Sequence, residues 1–163
     1  MSEQADPYWK LRPPPPTPAD ELCSCVDRPP LLLQPHLSEN PLACIVCNLE
    51  VAPELIAFPE TLAEKVAHWR RFYDCFYLLW LLDAGEFESW AKVHLEDPAS
   101  VVNRRGRDVA SKLDAFRRTY YSWFRDYGAE TLKPPTRCPV CRDALVELFG
   151  RHVCEACSIV LND

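Results

Sequence analysis

Cys138-Pro139-Val140-Cys141 and Cys154-Glu155-Ala156-Cys157 are two Cys-x-x-Cys pairs separated by twelve residues. That is the ligand spacing of a zinc ribbon. Each pair sits on a tight turn that aims two thiolates at one point, and a tetrahedral zinc takes four such ligands. The intervening residues read as a hairpin, with 144–149 running out, Gly150-Arg151 turning and His152-Val153 returning. Ser158-Ile159-Val160-Leu161 can add a third short strand. His152 offers a nitrogen, but four thiols already complete the set, so it reads as a strand residue. Ribbon turns often carry glycine after the second cysteine, where a backbone amide nears sulfur at positive φ; Arg142 and Ser158 stand there instead. Four thiolates leave no open position for water or substrate, so this set is expected to hold a shape.

A second set is less regular. Cys44-Ile45-Val46-Cys47 is followed by Asn48, a residue that tolerates the left-handed conformation. The nearest partners are Cys23 and Cys25, whose Cys-x-Cys spacing is less diagnostic. Cys23, Cys25, Cys44 and Cys47 are therefore either a second zinc site or buried free thiols. The expectation is one Zn2+ at Cys138, Cys141, Cys154 and Cys157, and a second if the other four converge.

The bulk composition agrees with metal. Nine cysteines, an odd number, in a chain without an apolar leader point to reduced thiols rather than a disulfide framework. The longest apolar run, 75–82, is far short of the roughly 20 residues that span a bilayer. A cytoplasmic chain with no membrane partner is expected. The net charge is −6, and each zinc with four thiolates adds about −2. Broad electrostatic binding to nucleic acid needs the opposite sign. Residues 1–58 carry three basic and eight acidic side chains, 59–127 eleven of each, and 128–163 four and five.

The elements that must position these cysteines divide into four stretches. Residues 1–20, with Pro13–Pro16 and Pro18, form a stiff proline-rich tail that Tyr8, Trp9 and Leu11 could anchor. Residues 21–58 form a Cys-containing β/loop module with a β-prone Leu31-Leu32-Leu33, since its prolines argue against helix. Residues 59–118 form a helical centre of about three helices. The first opens at a Thr61…Glu64 capping box, stripes Leu62, Val66, Trp69, Tyr73, Phe76 and Trp80 on one face, becomes apolar nearly all round beyond Cys75 and stops at Gly85. That apolar second half is expected to be buried on several sides. The second spans about 86–96 with Phe87, Trp90 and His94 inward. After the Asp97-Pro98 break, the third spans about 100–117 with Val109, Leu113 and Phe116 inward. Residues 119–163 hold an aromatic strand, Thr119 to Phe124, and the ribbon. The fold class is α+β: a helical centre, a C-terminal four-cysteine zinc ribbon of short antiparallel strands, and a β-rich, Cys-containing N-terminal segment.

The third helix carries the basic cluster Arg104, Arg105, Arg107, Lys112, Arg117 and Arg118. Arg104, Arg107 and Arg118 share its outer face with Asp108 and Asp114, and Arg104–Asp108 and Asp114–Arg118 are spaced to pair at i,i+4. A salt-bridged, solvated face is the expected use. Tyr120, Tyr121 and Trp123 are expected to pack, with base stacking as their alternative use.

Asn40-Pro41-Leu42-Ala43-Cys44-Ile45-Val46-Cys47, Asn103-Arg104-Arg105-Gly106-Arg107, Thr119-Tyr120-Tyr121 and the C-terminal Cys pairs follow one another in that order. Over about 31–163 the chain thereby resembles an uncharacterised bacterial family of zinc-ribbon-containing proteins to which nucleic-acid binding is ascribed. The resemblance implies zinc at Cys138, Cys141, Cys154 and Cys157 and a structural role for Cys44 and Cys47. It implies no established activity.

No His-Glu-x-x-His, phosphate-cradling glycine loop or nucleophile elbow is present, and His68 and His94 have no evident catalytic partner. No catalytic or cofactor-binding residue is assigned, and the chain is not expected to be an enzyme. Two readings remain. In one, structural zinc braces an interaction module for a protein partner. In the other, a nucleic-acid-associated factor uses the ribbon, the 104–118 arginines and the nearby aromatics.

Overall fold

The computed structural model describes residues 13–35, 39–83, 85–128 and 133–162. The expected anchors Tyr8, Trp9 and Leu11 lie outside them. Among the described residues the fold is mixed α+β, with three α-helices packed on one another and α3 against a six-stranded sheet. The elements in chain order are β1 (Leu31–Leu33), β2 (Leu42–Cys44), α1 (Glu60–Leu81), α2 (Glu86–Glu96), α3 (Val101–Asp114), β3 (Thr119–Ser122), β4 (Val146–Leu148), β5 (Arg151–Cys154) and β6 (Ile159–Leu161). Among the described residues no helix is long and apolar enough to cross a membrane.

The strands run in the order β2-β1-β3-β6-β5-β4. Strands from the N-terminal and C-terminal parts of the chain thus share one sheet, where the sequence suggests a β-rich N-terminal segment and a ribbon built separately. β3 joins them, parallel to β1 through Leu32↔Tyr120 and parallel to β6 through Tyr121↔Ile159. The outer pairs, β1–β2, β6–β5 and β5–β4, are antiparallel. Alternation along the strands gives the sheet two apolar faces. Leu31, Leu33, Tyr121, Ile159 and Leu161 join the core that includes the helices. Leu32, Ala43, Tyr120, Val153 and Val160 form a smaller core on the other face, together with Ile45.

α1 buries Leu62, Val66, Trp69, Tyr73 and Phe76, as the stripe predicts, and leaves Trp80 half-buried. Its N-cap is Pro59, whose carbonyl accepts from Leu62 and Ala63, and Thr61 lies inside the first turn. The Thr61…Glu64 capping box therefore does not form; the proline has no N–H to lose at a helix entry and supersedes it. The second half of α1 is less covered than its apolar sequence predicts, since Leu78, Leu81 and Leu82 are exposed. α2 is too narrow to enclose them: it turns Ala91 and Leu95 to the core, leaving Phe87 and Trp90 about half exposed. Trp90 and His94 lie on the flank and stack on the Phe76 ring at 5.3 and 5.6 Å. α3 ends at Asp114 rather than 117, so Phe116 falls outside the helix and is exposed.

α3 and β3 approach each other closely. Ser100 caps α3 by accepting from the Asn103 amide. The fully buried Asn103 side chain donates to the carbonyls of Leu95 and Asp97 at 2.9 Å each and accepts from the Tyr121 hydroxyl at 2.9 Å. One amide thereby ties the end of α2, the start of α3 and the central strand. One turn later Gly106 leaves room for the Tyr121 ring. A Cβ there would lie 2.4 Å from Tyr121 Cε2 and 2.8 Å from Trp69 Nε1. Both neighbours are buried ring systems with nowhere to retreat. Gly106→Ala is expected to destabilise the chain by about 3 kcal/mol, the upper part of the overpacking range. Denaturant unfolding should show a lower midpoint with an unchanged slope.

Candidate metal centres

The structure brings all eight paired cysteines into two groups. Cys23, Cys25, Cys44 and Cys47 form the first, and Cys138, Cys141, Cys154 and Cys157 the second. Within each group the sulfur atoms all lie within 4.8 Å of one another. Four thiolates around a tetrahedral ion at about 2.3 Å stand about 3.8 Å apart, so each group fits a metal ion with little adjustment. Cys141 and Cys154 Sγ already stand at 3.5 Å. The ninth cysteine, Cys75, is exposed on α1 and donates to the Arg71 carbonyl at 3.3 Å.

Each group is assembled by strand ends and turns. In the first, Cys44 is the last residue of β2, and the turn closes as the Asn48 amide donates to the Cys44 carbonyl at 2.9 Å. The Cys23 amide donates to the Glu50 carbonyl at 2.7 Å, and Leu22 bridges Glu50, which lays 23–25 against the turn. In the second, the Cys138 amide donates to the Asp143 carbonyl, and the Val140 amide reaches Cys138 Sγ at 3.4 Å. Cys154 ends β5, and the residues after it turn back into β6.

The residue after each second cysteine is left-handed: Asn48 at φ 61°, Arg142 at 68° and Ser158 at 52°. The left-handed position after the second cysteine is thus occupied without glycine, at the local cost of placing a Cβ in this region. The hairpin turn is shifted by one residue from the expected Gly150-Arg151. Phe149 and Gly150 carry the positive φ values, and Arg151 opens β5. His152 pairs within β5 with Glu147 and Leu161 and is not among the clustered ligands.

The thiols within a group are not equivalent. Burial opposes ionisation of Cys44, but the amides of Cys47 and Val46 outweigh it and bring the thiol below its ordinary value. At Cys138 burial is likewise overcome by the amides of Cys141 and Val140. Cys25 is pushed up to about 12, chiefly by hydrogen bonding to the Cys23 and Cys47 thiols. Burial pushes Cys157 up to about 11 and raises Cys154 further.

The residues suggested for nucleic-acid contact are placed differently. Tyr120, Tyr121 and Trp123 are all buried. Arg105 meets His68 at 3.3 Å and lies over the Phe72 ring. Arg107 donates to the Pro98 carbonyl and Arg117 to the Pro29 carbonyl. Arg118 makes the expected pair with Asp114 at 3.2 Å, reaches Glu155 and covers Tyr120. Asp108 pairs with Lys112. Arg104 is exposed.

No protein-family model matches the chain, and no curated protein or solved structure matches it. The case for metal therefore rests on this geometry.

Two outcomes follow for the centres. Metal must displace the protons that the raised thiols hold, so affinity should climb with pH through the neutral range and uptake should release protons; a weakly buffered titration reads both. Arg142→Gly relieves a left-handed residue whose side chain is exposed, and should stabilise the metal-loaded chain by up to about 1 kcal/mol in thermal unfolding.

Proposed function

We propose that the chain is a non-enzymatic zinc protein in which two closed tetrathiolate centres brace a docking module for a protein partner. The observation that carries this reading is the convergence of two complete sets of four sulfurs. Four thiolates in a tetrahedron suit zinc or a single iron, and zinc adds no redox chemistry to a site that has no open position. The role of the centres is to fix strands of three and four residues that are too short to hold together alone. A cytoplasmic setting accords with eight thiols kept available for metal.

The partner side of the reading is supported by exposed apolar surface. Leu78, Leu81 and Leu82 on and just after α1, with Phe87, Trp90 and Val93 on α2, are large side chains each about half exposed or more. Large apolar side chains left open on two neighbouring helices are the material from which protein-covered surfaces are built. The nucleic-acid alternative draws on the basic cluster, most of whose members are committed to carbonyls, carboxylates and rings within the chain.

Elemental analysis of reducing, chelator-free preparations should find two zinc per chain, falling to one in Cys44→Ser. One zinc in the unmutated protein would demote the first group to free thiols, and iron would replace zinc in the reading. Nucleic acid should bind weakly at physiological salt with a shallow salt slope, each phosphate contact contributing about 0.9 on duplex DNA. Changing Arg104, Arg107 and Arg118 to Gln should lower stability rather than affinity. Sub-micromolar binding abolished by that triple change would instead favour the nucleic-acid factor.

A further inference from the structure

Arg151 reaches from the ribbon strands into the turn of the other cysteine group. It opens β5, the strand that delivers Cys154 three residues later. Its guanidinium Nε donates to the Ile45 carbonyl at 3.1 Å, inside the Cys44–Cys47 turn, and Nη2 donates to Asn48 Oδ1 at 3.1 Å. The remaining nitrogen, Nη1, reaches Asn162 Oδ1 just beyond β6. Asn48 is the left-handed residue that completes the first turn, and its side-chain oxygen also accepts from Gln34 at 3.0 Å. The side chain of Ile45 packs with Val153 in the smaller core, so the contact is apolar as well as polar.

The start of β5 is held by β6, through His152↔Leu161 and Val153↔Val160, and from its other side by the second group. β4, its hairpin partner, is exposed at all three residues and contributes no buried apolar side chain. The hairpin is held at its base by the 138–141 turn, through the Arg137–Ala144 bridge and the Leu145 amide on the Thr136 carbonyl, and by Cys154. A metal ion linking Cys138 and Cys141 to Cys154 and Cys157 would fix that base and with it the start of β5.

We propose that Arg151 couples the two centres: the Cys23, Cys25, Cys44 and Cys47 group reaches its full metal affinity only when the Cys138, Cys141, Cys154 and Cys157 group is filled. This rests on the two-centre reading above. Groups that orient a ligand from behind commonly change metal affinity by about 10- to 100-fold, and a coupling of this kind acts equally in both directions. Arg is required because a planar fork satisfies a carbonyl and a side-chain amide oxygen together.

The test is a four-member cycle on the full, reduced, metal-free chain: unmutated, Arg151→Gln, Cys141→Ser and the double variant. Each is titrated with cadmium against a competing chelator, and cadmium NMR separates the two centres by their resonances. Arg151→Gln and Cys141→Ser should each lower affinity at the first centre about 10-fold, and the double variant should lose no more than either alone. If Arg151→Gln does not fold, Arg151→Lys takes its place in the same cycle. Losses that multiply, or a first centre indifferent to Arg151, overturn the coupling while leaving two centres in place. Uptake of one cadmium by the unmutated chain overturns the two-centre reading and the coupling with it.

Discussion

The contact between Asn103 and Tyr121 is the constraint on which the architecture depends. β3 is flanked on one side by strands from the N-terminal part of the chain and on the other by strands from the C-terminal part. Whatever fixes β3 therefore fixes the relation between the two cysteine groups. The fixing is done from α3 by a buried amide that satisfies three partners and by a glycine that lets the Tyr121 ring close on the helix. Burial raises the Tyr121 phenol well above its ordinary pKa, which keeps it a donor to Asn103 throughout the physiological range. An unsatisfied polar group at this depth would cost on the order of 1–3 kcal/mol, so the pairing specifies position as well as adding stability.

The same long-range contacts decide which features are legible in the sequence. Cysteine spacing is a direct statement about ligand geometry, so the second group is legible down to its four residues, and the first as one of two options. The α1 stripe is legible because 3.6-residue periodicity reports a single buried face. The sheet order is not. β1, β3 and β6 meet in parallel, and nothing local in Leu31-Leu32-Leu33 or Ile159-Val160-Leu161 states that they will flank the same strand. Periodicity places Phe87 and Phe116 inward because it reveals an apolar face without revealing whether another element is long enough to cover it. Asn103 and Gly106 are visible only as members of the Asn103–Arg107 motif. Their meaning lies in a contact with Tyr121, on a different element.

The arginines show the same limit with the opposite sign. A basic cluster over 104–118 invites a phosphate reading, and helix periodicity alone can weigh against it only through Asp108 and Asp114. In the fold, Arg107, Arg117 and Arg151 each donate to a main-chain carbonyl outside the strands and helices. A chain with sixteen prolines has many such carbonyls, because each proline removes the amide that might have paired with a neighbour. Two of these three acceptors, Pro98 and Pro29, are in fact proline carbonyls. Guanidinium groups here serve as donors to these loop carbonyls.

The unequal thiols within each group bear on how metal would enter. Cys44 and Cys138 each lead a Cys-x-x-Cys turn, and in both cases turn amides favour the thiolate over the opposing effect of burial. Each of those turns closes on a left-handed residue, Asn48 in one case and Arg142 in the other. The turn thus favours the thiolate at one sulfur of each group, while Cys25 and Cys47 in one group and Cys154 and Cys157 in the other hold their protons more tightly than an ordinary thiol. An ion captured first by Cys44 would then recruit Cys47 from the same turn. Cys23 and Cys25 would follow last, because they reach the site through the backbone contact to Glu50 rather than through a turn of their own. The second group has two complete turns, each closed by a left-handed residue, and so needs less of the chain to be folded before it can close. The second group would fill first, and the group that borrows its outer support from β5 would fill second.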